Sequence, residues 1–233
     1  MRYIGLYGAL FMLLQALVAC GPASQSTNDQ PVPTKSVAAP DEMADAKLVV
    51  VFGDSLYAGY RLGPQEGFAP QLQAALGKAG VVARVHNAGV SGDTTAAGKT
   101  RLAFVLDNLE RKPDLLVLGL GGNDMLRGVK PGETRANLTA MLDDLKQRGI
   151  PVILTGMLAS PNMGADYSDA FNPIFPELAK QYGAPLYPFF LDGVVANQAL
   201  MLPDGIHPNA KGVARIVEGI TPLVEGALKV TAN

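Results

Sequence analysis

From Lys47 onward, short all-apolar runs alternate with amphipathic segments, and this alternation constrains the fold more than any other feature of the chain. Leu48-Val49-Val50-Val51-Phe52 ends at Gly53. Leu115-Leu116-Val117-Leu118-Gly119-Leu120 ends at Gly121-Gly122, and Val152-Ile153-Leu154 follows Pro151. Runs this short, apolar on both faces, fit strands buried in a parallel sheet. Val81 to Val85 and Leu186-Tyr187 are weaker strand candidates. Between them the apolar spacing becomes helical. Leu102, Val105, Leu106 and Leu109 fall at i, i+3, i+4 and i+7, and Leu138, Met141, Leu142 and Leu145 repeat the pattern. Phe68, Leu72 and Leu76 mark a further helix. Val213, Ile216, Val217 and Ile220 mark the last one, which Pro222 is expected to bend or break. Strand and helix alternate to about Lys229. That predicts one α/β domain with a central parallel sheet of about five strands and helices on both faces. In such sheets chemistry gathers beyond the carboxyl ends of the strands, here in the loops after Phe52, Val85, Leu120 and Leu154.

The first 45 residues differ in kind. Arg2 is the only charge before Cys20, and Tyr3 to Val18 is apolar apart from Gln15 and small residues. The run is short for a membrane span, which takes about 20 residues, and fits the apolar region of a signal peptide. Leu17-Val18-Ala19-Cys20 resembles the lipobox of bacterial lipoproteins, and Cys20 is the single cysteine of the chain. The expected organisation is a signal peptide over 1–19, lipidated Cys20 with a linker over 20–45, and one α/β domain over 46–233. Gly21 rather than Asp follows Cys20, which resembles an outer-membrane address in a Gram-negative host, facing the periplasm. Pro22, Pro31, Pro33 and Pro40 with many Ser, Thr and Gln make 21–45 a stretch that cannot bury enough apolar surface to order itself. As a flexible coil it would span roughly 25–30 Å.

Composition excludes some partners. The formal charge is −2, and removing residues 1–19 takes away Arg2 alone, leaving 18 basic against 21 acidic residues. That argues against nucleic acid, which needs a basic face, and against a polybasic membrane patch. One cysteine allows no internal disulfide.

Three loops at strand ends carry unusual polar residues: Gly53-Asp54-Ser55-Leu56, Ser91-Gly92-Asp93-Thr94 and Gly121-Gly122-Asn123-Asp124. Asp204-Gly205-Ile206-His207-Pro208 opens the last helix. Acyl transfer needs a nucleophile, a base, a carboxylate that orients the base, and donors for the oxyanion. Ser55, at a tight strand-to-helix turn, is the candidate nucleophile. His207 is the candidate base, since the other histidine, His86, sits in or beside a strand and reads as structural. Asp204 lies three residues before His207, a spacing that brings both side chains to one face of a helix or turn. Oxyanion donors would be the Ser55 and Gly92 N–H groups and the Asn123 amide. Asp54, Asp93 and Asp124 read as structural carboxylates bonding local backbone, and Arg127 lies on a loop that can border substrate.

These four segments, in this order, resemble the GDSL or SGNH hydrolases. Val50 to Leu56 looks like the first family block, Ser91-Gly92-Asp93 the second, Gly121 to Asp124 the third and Asp204-Gly205-Ile206-His207 the last; the likeness spans about residues 47–229. Gly119 to Gly128 and Asp204 to Asn209 look like the branch of bacterial periplasmic arylesterases, acyl-CoA thioesterases and lysophospholipases. The resemblance implies a flavodoxin-like three-layer α/β/α sandwich, no metal or cofactor, Ser55, His207 and Asp204 as catalytic residues, and Gly92 and Asn123 as oxyanion donors. It implies a small ester or lipid-like substrate, with a thioester or a lysophospholipid as further options. Carbohydrate O-deacetylation is the alternative within the family, and a ligand-binding lipoprotein without catalysis the alternative outside it.

Overall fold

A computed structural model describes residues 45–230. The expected signal segment, Cys20 and nearly all of the linker lie outside the described residues.

Five parallel strands form one sheet: β1 (Lys47–Gly53), β2 (Ala83–Gly89), β3 (Leu115–Gly119), β4 (Val152–Thr155) and β5 (Leu186–Tyr187), in the spatial order β2-β1-β3-β4-β5. From β1 the chain moves out to β2, then returns to pair β3 on the other side of β1. This reversal between β1 and β3 is the switch point at which doubly wound sheets bind their ligands.

The helices are α1 (Ser55–Ala58), α2 (Phe68–Lys78), α3 (Thr95–Asp107), α4 (Gly122–Leu126), α5 (Pro131–Gln147), α6 (Ala165–Phe171), α7 (Ile174–Tyr182) and α8 (Ala210–Val230). Side chains alternate across the central strands, as the pleat requires. Val49, Val51, Leu115, Val117 and Ile153 meet Phe68, Leu72 and Leu76 of α2 and Val213, Ile216 and Ile220 of α8 on one face. Val50, Phe52, Leu116, Leu118 and Leu154 meet Leu102 of α3, Leu138 and Leu142 of α5 and Phe175 and Leu178 of α7 on the other. Fully burying a Val, Leu, Ile or Phe side chain stabilises by about 1.5–3 kcal/mol, so these two layers are what hold the sheet between its helices.

Three expectations change. The strand expected at Val81 to Val85 runs instead from Ala83 to Gly89, in register with the whole of β1 from Lys47↔Ala83 to Gly53↔Gly89. It is an edge strand with Arg84, His86 and Asn87 exposed, so its sequence carries no apolar run, and the loop expected after Val85 begins after Gly89. The last helix is continuous through Pro222, because its apolar stripe is buried on both sides of the proline, at Ile216, Val217 and Ile220 before it and at Val224 and Leu228 after it. Finally, Asp204 to Pro208 lies in a loop before α8 rather than within it.

Candidate active site

The site is built at the switch point. β1 ends at Gly53, and α1 begins at once with Ser55. Asp54 caps this single turn through Oδ1, which accepts from Leu56 N–H at 3.0 Å. Gly59, at φ +78°, ends it. For α1 to sit this close, the strand ends beneath it must be bare. A Cβ on Gly53 would fall 2.2 Å from the Tyr57 ring, one on Gly119 2.0 Å from the Tyr57 hydroxyl, and one on Gly89 2.3 Å from Ala58 N. Three strand-terminal glycines thus form the seat on which the buried Tyr57 lies, its hydroxyl paired with Thr155 Oγ1 at 2.6 Å. Burial pushes that phenol well above its ordinary range.

The histidine arrives on the loop before α8. Asp204 Oδ1 accepts from the Ile206 and His207 N–H groups, each at 3.0 Å, which folds the loop into an Asx turn. Leu202 N–H donates to the His207 carbonyl at 2.7 Å, and Asn209 Nδ2 donates to the Ala199 and Met201 carbonyls, so both ends of the loop are tied down. Asp204 Oδ2 lies 2.9 Å from His207 Nδ1, and His207 Nε2 lies 2.8 Å from Ser55 Oγ. With Nδ1 donating to the carboxylate, Nε2 carries a lone pair and Ser55 donates to it.

Opposite the histidine are the candidate oxyanion donors. Gly92 adopts φ +88°, a left-handed conformation that favours glycine, and its N–H has no partner among the described residues. Ser55 N–H opens a helix, where no carbonyl lies one turn back to receive it. Asn123, in α4 just after β3, donates from Nδ2 to the Asp93 carbonyl at 3.0 Å and to Asp54 Oδ2 at 3.4 Å. Arg101 fixes the second loop against the first: Nε donates to Asp93 Oδ2 at 2.5 Å and an Nη to the Gly53 carbonyl at 3.0 Å, with its guanidinium 3.9 Å over the Phe52 ring. Asp124 is buried beneath the third loop and accepts from the Thr95 N–H and from the Thr95 and Thr134 hydroxyls.

The two carboxylates flanking Ser55 and His207 are shifted in opposite directions. Two backbone N–H groups, of His207 and then Ile206, hold the Asp204 carboxyl down to about 2, so it is ionised at neutral pH. Burial lifts Asp54 to about 6, against the downward pull of the Leu56 N–H and the nearby His207.

All five candidate residues therefore come together: Ser55, His207 and Asp204 in one hydrogen-bonded chain, with Gly92 and Asn123 on the loops facing it. Asp54 does more than cap, since it also meets the Asn123 amide. His86 lies in the edge strand β2, as expected, with its side chain exposed. Arg127 donates to the Gly92 carbonyl at 2.8 Å and so borders the second loop. Sequence reasoning passed over Tyr60, whose ring lies 4.4 Å from that of His207. A groove of about 630 Å³ lies at the opposite end of the sheet beside Ile150, Pro151 and Val152 and contains none of these residues.

A parallel α/β sheet with an accessible Ser–His–Asp chain and free N–H groups at its switch point defines a serine hydrolase by fold and site. The chain belongs to the GDSL-like lipase/acylhydrolase family, whose model matches residues 51–215. It is 39% identical over 187 residues to the esterase TesA of Pseudomonas aeruginosa, a match covering 80% of this chain and 92% of that protein. It is 38% identical over 166 residues to the thioesterase 1/protease 1/lysophospholipase L1 of Escherichia coli K12, covering 71% of this chain and 77% of that one. Among solved structures, AlinE4, an SGNH-hydrolase family esterase, superposes with a TM-score of 0.68 at 47% identity, covering 78% of this chain and 97% of its own.

Proposed function

We propose that this protein hydrolyses carboxylic esters of aryl or short-to-medium acyl type, with acyl thioesters and lysophospholipids as further substrates, through an acyl-Ser55 intermediate. The observation that carries the reading is the unbroken chain from Ser55 Oγ to His207 Nε2 at 2.8 Å and from His207 Nδ1 to Asp204 at 2.9 Å. Ser55 Oγ attacks the carbonyl carbon as its proton passes to Nε2, and ionised Asp204 stabilises the imidazolium that results. The tetrahedral oxyanion is met by the Ser55 and Gly92 N–H groups and the Asn123 amide. Both Asn123 amide hydrogens are engaged in the resting site, so the longer bond, 3.4 Å to Asp54, is the one to yield. Collapse of the intermediate expels the alcohol or thiol with the proton from His207. Water, activated by the same ring, then releases the acid.

The same proposal places the enzyme in the cell envelope as a lipoprotein anchored through Cys20, in a Gram-negative host on the outer membrane facing the periplasm. The lipobox-like segment and the Pro-rich stretch after it support this. Membrane fractionation of Cys20→Ser tests it: the variant should move to the soluble envelope fraction, and unchanged membrane association would count against the anchor.

A panel of p-nitrophenyl esters of rising chain length, with an acyl-CoA and acetylated xylan alongside, tests the substrate class. Turnover of the aryl esters by wild type, lost by about 10⁴-fold or more in Ser55→Ala, is the expected result. Acetate release from xylan exceeding aryl-ester turnover would move the substrate to carbohydrate, and full activity in Ser55→Ala would overturn the mechanism.

A further inference from the structure

The turn that follows α1 holds two left-handed residues on either side of one tyrosine. Gly59 has φ +78° and Arg61 φ +56°, the only positive φ outside glycine among the described residues. Leu62 N–H donates to the Gly59 carbonyl at 3.0 Å, closing a four-residue turn in which Arg61 takes the third place. A type II turn demands a positive φ there and glycine usually supplies it, so an arginine at this place is held against its own preference. The strained turn fixes Tyr60. Its N–H donates to the Ser55 carbonyl at 3.2 Å, tying it to the backbone of the candidate nucleophile. Its ring lies 4.4 Å from the His207 ring at an interplanar angle of 36°, and the Arg61 guanidinium lies over it at 5.1 Å.

We infer that Tyr60 is a positioning residue for the hydrolysis: its ring holds the His207 imidazole against Ser55 and favours the imidazolium that forms when the serine proton arrives. An aromatic face attracts a cation within about 6 Å of its centre, and His207 gains charge as it takes the serine proton, so the contact tightens as charge develops. The charged and titratable groups facing the imidazole are Asp204 on its own loop and Asp54 at the cap of α1, with Tyr60 packed on the ring and Arg61 beyond it. Asp204 meets the imidazole at Nδ1 while Tyr60 packs ring against ring, so removing the tyrosine takes away a contact of a different kind from the Asp204 hydrogen bond.

This inference rests on the Ser55–His207 reading of the site, and Ser55→Ala separates the two. Equal hydrolysis by wild type and Ser55→Ala would remove both. With wild type active and Ser55→Ala inactive, Tyr60→Leu should lower kcat about three- to fivefold with KM within twofold, and the acid limb of kcat/KM should move to lower pH by about half a unit. Tyr60→Phe, which keeps the ring face and loses only the hydroxyl, should restore both. If Tyr60→Leu does not fold, Tyr60→Met fills the space with a flexible apolar chain and carries the same comparison. An unmoved acid limb in the aliphatic variant, equal losses in Phe and Leu, or a loss confined to KM would overturn the inference.

Discussion

Two loops of this molecule each present an aspartate to the reacting pair, and they do opposite things with it. On the nucleophile loop, Asp54 is buried, adjacent to Ser55, and lifted by burial to about 6. On the histidine loop, Asp204 is more exposed, three residues from His207, and held down to about 2 by two backbone N–H groups. Adjacency to the nucleophile therefore does not pick out the carboxylate that orients the base. What picks it out is a contact to the free ring nitrogen together with enough N–H donors to keep the group ionised. Asp204 meets both conditions, and Asp54 instead spends its two oxygens on the Leu56 N–H and the Asn123 amide.

The contrast can be broken at several points. The largest effect belongs to Asp204→Asn, which keeps the shape but removes the charge that selects the His207 tautomer. We expect kcat for p-nitrophenyl butyrate to fall about 10³–10⁴-fold, measured at saturating ester. If Asp54→Asn costs as much as Asp204→Asn, the division of labour drawn here is wrong. Next comes Asn123→Ala, expected to lose about 10²–10³ in kcat, the size of one oxyanion donor. A loss below threefold would take Asn123 out of the oxyanion site.

Asp54→Asn itself should cost activity less than tenfold and is sharpest as a stability measurement. A carboxyl raised to about 6 in the folded state binds its proton more tightly there than in the unfolded chain. Its contribution is fully present below about pH 4 and is lost as pH rises through about 6, a change of about 2–3 kcal/mol. Thermal unfolding should therefore show Asp54→Asn gaining on wild type between pH 4 and pH 7. Parallel curves would mean that folding leaves Asp54 titrating as it does in the unfolded chain. Asp204 has the opposite sign: its stabilisation is present above about 4 and fades as pH falls toward about 2.

Much of this was written in the sequence, and the exceptions share a cause. The runs ending at Gly53 and Gly119 were legible because central strands are buried on both faces and so are apolar throughout. β2 was misplaced because an edge strand pairs through backbone while His86 and Asn87 face solvent, and backbone pairing leaves no mark on side-chain pattern. α7, with Ile174, Phe175 and Leu178 buried, is too short for its periodicity to stand out among neighbouring turns. Ser55, His207, Asp204, Gly92 and Asn123 could be named because four segments stood in a recognisable order. Tyr60 could not, because its contact with His207 joins residues 147 positions apart in sequence through a strained turn, and nothing local announces that.

The hydrogen bond between Ser55 and His207 joins residues separated by 152 positions. A chain under synthesis exposes its serine early and receives the partner only when the last loop before α8 is made and sewn down beside Asn209. Until then Ser55 is an alcohol of ordinary reactivity at the end of its strand. Hydrolysis thus waits on a segment made 152 positions after the serine, and that later segment is the one that arms the first loop of the site.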